Sequence, residues 1–272
     1  MTRGSPTRAR ERPERRPGRD RGAPLRGLVA AASFLTRLPL GRRAGRVTED
    51  DLRGGAAWFA AVGAAVGFTG ATAGWLASTR APAFVAAVLA VSVDALVTGG
   101  LHLDGLADTM DGIGASSSGR DALRAMREPS VGAFGVAALI LDLGLRVAAT
   151  AALLGGGFPW AIVGAAAAAR LAPLALARWV PYHSQSGGTG AWMRGGLSDL
   201  ALGVALVTAV LASAPAGVGA AGAIVGTVGA VTMSIGVLAR RMLGGATGDV
   251  FGAATELSQT LALTAVVLVL AP

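Results

Sequence analysis

The chain contains no cysteine and no lysine. The first absence excludes disulfides, thiolate metal sites and a cysteine nucleophile, and the second excludes Schiff-base chemistry on a lysine amine. Only two histidines are present, His102 and His183, so a histidine-rich metal centre is excluded as well. Charge is scarce at 15% of residues, whereas hydrophobic residues reach 53%. That balance is too apolar for an ordinary soluble domain and fits a protein that crosses a membrane several times. The expected fold class is therefore all-α: a polytopic integral membrane helical bundle.

The formal net charge of +8 is concentrated at one end. Residues 1–26 hold nine arginines against Glu11, Glu14 and Asp20, with almost no large apolar side chains. This segment is expected to be a disordered cytoplasmic tail that sets topology and touches anionic membrane lipid. Residues 27–272 then form a single transmembrane catalytic domain. The remainder offers no basic face, so nucleic acid is not an expected partner; a homo-oligomer is left open.

Apolar runs of about 20 residues define seven candidate spans, at 55–78, 82–101, 131–154, 158–179, 200–214, 217–239 and 251–271. Residues 28–40 are too short to span and suit an interfacial or re-entrant helix. With the N-terminus inside, the connections on that side carry Arg42, Arg43, Arg46, Arg53, Arg120, Arg124, Arg127, Arg194, Arg240 and Arg241, while the outer turns carry only Arg80. The positive-inside rule thus predicts a cytoplasmic N-terminus and an external C-terminus. Glycine, at 41 residues, suits close helix packing.

Against this background the stretch GGLHLDGLADTMDG is anomalous. Asp104, Asp108 and Asp111 follow an i, i+4, i+7 pattern, which puts them on one helical face. Three carboxylates so placed repel one another and call for a cation, and hard oxygen donors suit Mg²⁺ or Mn²⁺. Gly105 and Gly112 would keep that face open to a phosphate. His102 precedes the cluster as a ligand, a base or an ordinary hydrogen-bonded residue. Arg120, Arg124 and Arg127 repeat the i, i+4, i+7 spacing and could clamp phosphate, or serve only as the inside charge signal.

A third element, GGATGD, is a glycine-rich turn before a helix, where backbone N–H groups around Gly248 could hold a phosphate. Asp249 and Glu256 follow it i, i+7 and share a face. Glu256 lies in an apolar run and could be a ligand or a structural ion pair, for instance with Arg170; Asp249 could cap its helix or bind metal. Asp142 and Arg146, i and i+4, are expected to pair with each other, and Asp94 has no local partner. The residue types lead as far as a metal-dependent transferase acting on a diphosphate at the membrane. Intramembrane acids also suit a cation-coupled transporter, and a membrane prenyltransferase would be aspartate-rich too.

TGGLHLDGLADTMDG at 98–112, VGAFG at 131–135 and LGGATGDVFGAATEL at 243–257, with SFLTRLPL at 33–40 and WFAAVGAAVG at 58–67, resemble the cobalamin synthase family of adenosylcobinamide-GDP ribazoletransferases. The resemblance implies a Mg²⁺-dependent membrane enzyme. It would join adenosylcobinamide-GDP to α-ribazole, or its 5′-phosphate, giving adenosylcobalamin, or its phosphate, and GMP. It further implies that Asp104, Asp108 and Asp111 hold Mg²⁺ on the diphosphate, one of them acting as base toward the ribazole 5′-hydroxyl. Asp249 and Glu256 would complete the metal or proton path, with Arg120, Arg124, Arg127, His102 and Gly248 on the substrate side. Glu128-Pro129 stand where the family pattern leads one to expect an aspartate before Ser130.

Overall fold

A computed structural model of the chain describes residues 23–40, 47–114, 119–183, 188, 190–194 and 197–270. Most of the expected disordered tail, and Arg42, Arg43 and Arg46, lie outside the described residues. Ala23 to Arg26, assigned to the tail on composition, instead open the first helix, α1 (Ala23–Leu35). At 13 residues it is too short to cross a bilayer. It rests on α2 (Glu49–Gly55), which is closed by a Thr48/Asp51 capping box.

Among the described residues the architecture is helical, with one isolated bridge between Tyr182 and Ala246. The principal helices are α3 (Phe59–Ser78), α4 (Ala83–Thr98), α5 (Leu101–Gly114), α6 (Gly119–Ala125), α7 (Ala133–Gly155), α8 (Pro159–Ala169), α9 (Leu171–Trp179), α10 (Asp199–Ser213), α11 (Val218–Met242) and α12 (Gly248–Leu270). Six helical segments are long and apolar enough to cross a membrane, and the bent pair α4–α5 brings the number to seven. These coincide with the seven apolar runs to within a few residues.

The centre of the bundle is α8, where Ala161 and Ala165 to Ala169 are all fully buried. Alanine leaves no side chain to keep neighbours apart, so α3, α10 and α12 all close on this helix. The helix breaks at Arg170 because the Pro173 ring would collide with the carbonyl of Ala169. The other decisive break is the 90° bend between α4 and α5. It turns on Gly99 and Gly100, both at positive φ (66° and 70°), a conformation that a side chain would oppose. After that bend α5 does not continue the crossing. It lies over the N-terminal ends of α7 and α12.

The charges inside the bundle pair across helices rather than along them. Arg146 Nη1 on α7 lies 2.5 Å from Glu256 Oε1 on α12 and 3.5 Å from Asp94 Oδ2 on α4. Gln259 Nε2 donates to Asp94 Oδ2 at 3.0 Å, and Arg170 reaches Gln259 Oε1 and the Ala166 carbonyl. The expected Asp142–Arg146 pair is not at contact distance; Asp142 is buried near Arg146, Glu256 and Thr260. A guanidinium in an apolar bundle gains most from carboxylates that would otherwise be stranded, and Glu256 and Asp94 come from two separate spans. The network therefore ties α4, α7, α8 and α12 together.

Removing the cation strands the carboxylates. Arg146→Met is expected to cost about 3–5 kcal/mol of stability, seen as a large drop in the detergent melting temperature. Leu141→Ala, on the lipid-facing side of the same helix, should leave that temperature nearly unchanged.

Candidate active site

The site forms where α5 crosses the first turn of α12. A Cβ on Gly105 would lie 2.8 Å from the Asp249 carbonyl oxygen and 3.0 Å from Gly252 Cα. A Cβ on Gly252 would in turn meet Gly105 Cα at 3.2 Å. The two backbones touch, and the glycines serve this contact rather than opening a face to phosphate. Gly112 is likewise spent on packing, against Met126 and Ala122 next to α6.

The crossing brings Asp249 to Asp104 and Asp108. Asp104 is exposed, while Asp108 and Asp249 are half-buried. Burial, followed by the charges of Asp104, Asp249 and Asp111, pushes the Asp108 carboxyl up from 3.8 to about 6. The cluster thus holds negative charge that no nearby side chain offsets.

Asp111 does not share this surface. It is buried, and both of its oxygens accept backbone N–H groups at the start of α7, from Gly132 at 2.6 Å and Gly135 at 2.8 Å. A Cβ at either glycine would fall within 2.5 Å of that carboxylate, so the VGAFG segment is shaped to admit it. Asp111 caps α7, where its charge also meets the positive end of the helix. The expected three-aspartate face is therefore divided between two duties. Glu256, expected as a further ligand or ion pair, is the partner of Arg146 inside the bundle.

Thr247, not Asp249, caps α12: its Oγ1 accepts the Val250 N–H at 3.3 Å. The GGATGD turn is pinned to residues 181–183, since Ala246 N–H bonds the Pro181 carbonyl and His183 N–H bonds the Ala246 carbonyl. Gly248 lines a cavity of about 190 Å³ together with His102, Asp104 and Asp249. His102 is buried; that burial, then the charges of Arg170 and Arg146, hold its imidazole well below the usual range and keep it neutral. Phe34, Phe59 and Phe251 form the apolar wall of the same cavity.

The arginine row is not one helical face. Helix α6 ends at Ala125, so Arg127 falls in the turn beyond it. Arg124 pairs with Asp121 at 3.5 Å, and Arg120, Arg124 and Arg127 are all exposed. The sequence reading missed Gly252, Thr247 and the aromatic wall. The one available signal was the placement of Gly105 and Gly252 within acid-bearing helices.

Among the described residues, no three His, Asp or Glu side chains converge tightly enough to cage a metal ion unaided. Mg²⁺ does not require such a cage: it commonly takes one or two carboxylates, with substrate phosphates and water filling its remaining positions. Asp104, Asp108 and Asp249 fit that demand.

A family model described as cobalamin-5-phosphate synthase matches residues 27–267. Curated proteins named adenosylcobinamide-GDP ribazoletransferase are similar over nearly the whole chain. That of Chlorobium phaeobacteroides is 36% identical over 247 residues, covering 87% of this chain and 95% of the relative. That of Azorhizobium caulinodans is 35% identical over 260 residues, covering 91% and 97%. That of Leptothrix cholodnii is 36% identical over 241 residues, covering 85% and 91%. No solved structure matches.

A carboxyl raised to about 6 opposes folding once it ionises. The penalty begins as pH passes the unfolded value of 3.8 and is complete above about 6. In chelator-treated protein, Asp108→Asn should therefore raise the melting temperature at pH 8 by about 2–4 °C. The gain should vanish near pH 4.

Proposed function

The chain belongs to the cobalamin-5-phosphate synthase family, and on that premise we propose that its carboxylate cluster attaches the nucleotide loop of cobalamin. It joins adenosylcobinamide-GDP to α-ribazole or its 5′-phosphate and releases GMP. The observation that carries this reading is the convergence of Asp104, Asp108 and Asp249 at a glycine-to-glycine helix crossing, on the wall of a cavity. Uncompensated carboxylates beside a cavity suit a substrate that arrives as a metal–diphosphate complex.

A ribose hydroxyl of the acceptor attacks the phosphorus joined to the cobinamide, the bond from that phosphorus to GMP breaks, and a carboxylate takes the hydroxyl proton. A family named for a cobalamin 5-phosphate product leaves the 5′ oxygen already occupied. The attacking group is therefore another ribose hydroxyl, which corrects the expected 5′-hydroxyl. Mg²⁺ would be held by Asp104, Asp108 and Asp249 and would neutralise the diphosphate and the departing GMP. Asp111 and Glu256 stay outside this set, the first as a helix cap and the second as the Arg146 partner.

The bundle is multi-pass. We place the site on the cytoplasmic face of the cell membrane, because the arginine-rich connections lie on its side and nucleotide substrates are cytoplasmic. The intramembrane acids that suggested a transporter are held in a fixed ion-pair network.

Purified protein given adenosylcobinamide-GDP, α-ribazole and Mg²⁺ should release GMP without any ion gradient. Chelation should abolish release, Mg²⁺ should restore it, and Asp104→Asn should lower it by about 10²-fold or more. Release that persists at full rate in chelator would contradict the metal assignment, and release of inorganic diphosphate would indicate a prenyl transfer instead.

A further inference from the structure

Asp104 lines two cavities of different character. The first is the 190 Å³ cavity walled by Phe34, Phe59 and Phe251. The second, about 560 Å³, lies between the end of α1, the α4–α5 bend and α7, and its wall includes Thr36, Arg37 and Thr98. Phe34, Leu101 and Asp104 belong to both, so the two spaces meet at a cluster carboxylate.

Arg37 stands on the wall of the larger cavity by construction. The chain leaving α1 is fastened to the bend by the Arg37 N–H, which donates to the Val97 carbonyl at 2.8 Å. Thr36 Oγ1 donates back to the Ala32 carbonyl at 2.6 Å, which holds the turn. The Arg37 side chain then lies directly over Gly99, where a Cβ would collide with Cγ, Cδ and Nε. Gly99 thus makes the bend and also provides the bed for this guanidinium. Among the described residues no carboxylate lies within ion-pair distance of Arg37. A fixed guanidinium without a carboxylate partner, on a cavity wall shared with Asp104, suits phosphate oxygens. Arg120, Arg124 and Arg127 line neither cavity.

We propose that the larger cavity binds the diphosphate of the GDP-activated corrinoid, with Arg37 as its phosphate-binding cation, and that the aromatic cavity receives the flat base of the ribazole. This rests on the reading of the reaction given above. The base gains from stacking on the phenylalanine walls, which offer few polar partners to a diphosphate. The diphosphate gains charge-assisted hydrogen bonds from Arg37 on one side and the cluster with its metal on the other. The two substrates then approach each other at Asp104, as a direct displacement requires.

Steady-state kinetics separate the two sites. Arg37→Gln should raise KM for adenosylcobinamide-GDP by about tenfold or more, leave KM for α-ribazole within about twofold, and be partly rescued by Arg37→Lys. Phe251→Leu should raise KM for α-ribazole instead. The absence of native cysteine allows a second readout that does not depend on turnover. Val131→Cys, on the wall of the larger cavity and half exposed, should be shielded from maleimide by adenosylcobinamide-GDP with Mg²⁺ but not by α-ribazole, and the shielding should be lost when Arg37→Gln is added. Unchanged KM values in Arg37→Gln, or shielding by α-ribazole alone, would overturn the assignment. An unsubstituted enzyme that releases no GMP would instead overturn the reading of the reaction.

Discussion

The backbone contact between Gly105 and Gly252 is the constraint on which the site depends. Two helices that meet through side chains sit 8–10 Å apart, and at that spacing Asp249 would stand away from Asp104 and Asp108. Glycine on both sides removes the spacer. The bend at Gly99 and Gly100 serves the same end, since it lays α5 across the start of α12. The negative cluster is a product of close approach, and its self-repulsion shows in the raised proton affinity of Asp108.

Such a crossing is stable only if the helices beneath it are fixed. Asp111 fixes one end of α5 by capping α7, where a carboxylate satisfies two helix-terminal N–H groups at once. The Arg146 network fixes the depth and rotation of α4, α7 and α12 inside the apolar bundle. Buried ion pairs are a costly way to gain stability, but once formed they oppose sliding, because any shift strands a charge. The acids of this chain therefore fall into three groups with distinct physical tasks: a cap, an internal clamp and a metal-binding surface.

The spans were legible in the sequence because apolar length is set by the bilayer and nothing else imitates it. The glycine-rich bend and the acid anomaly were legible too. The division of the aspartates was not. A spacing of i, i+4, i+7 names a face, but a helix rises 1.5 Å per residue, so Asp104 and Asp111 stand about 10 Å apart along α5. At one end they meet α12 and at the other α7, and no pattern within α5 reveals which neighbour each will face. Glu256 was ambiguous for a similar reason: its partner, Arg146, lies 110 residues away, while the local candidates were nearer in sequence. Arg37 was hidden in an apolar run whose closing turn only tertiary contact defines.

The most direct test of this account compares two glycine substitutions in folded, detergent-extracted protein. Gly105→Ala places a methyl group 2.8 Å from the Asp249 carbonyl, whereas Gly226→Ala, in α11, meets nothing within 4 Å. If the crossing assembles the site, GMP release falls by about 10²-fold in the first and is unchanged in the second. Equal, near-normal turnover in both would contradict it.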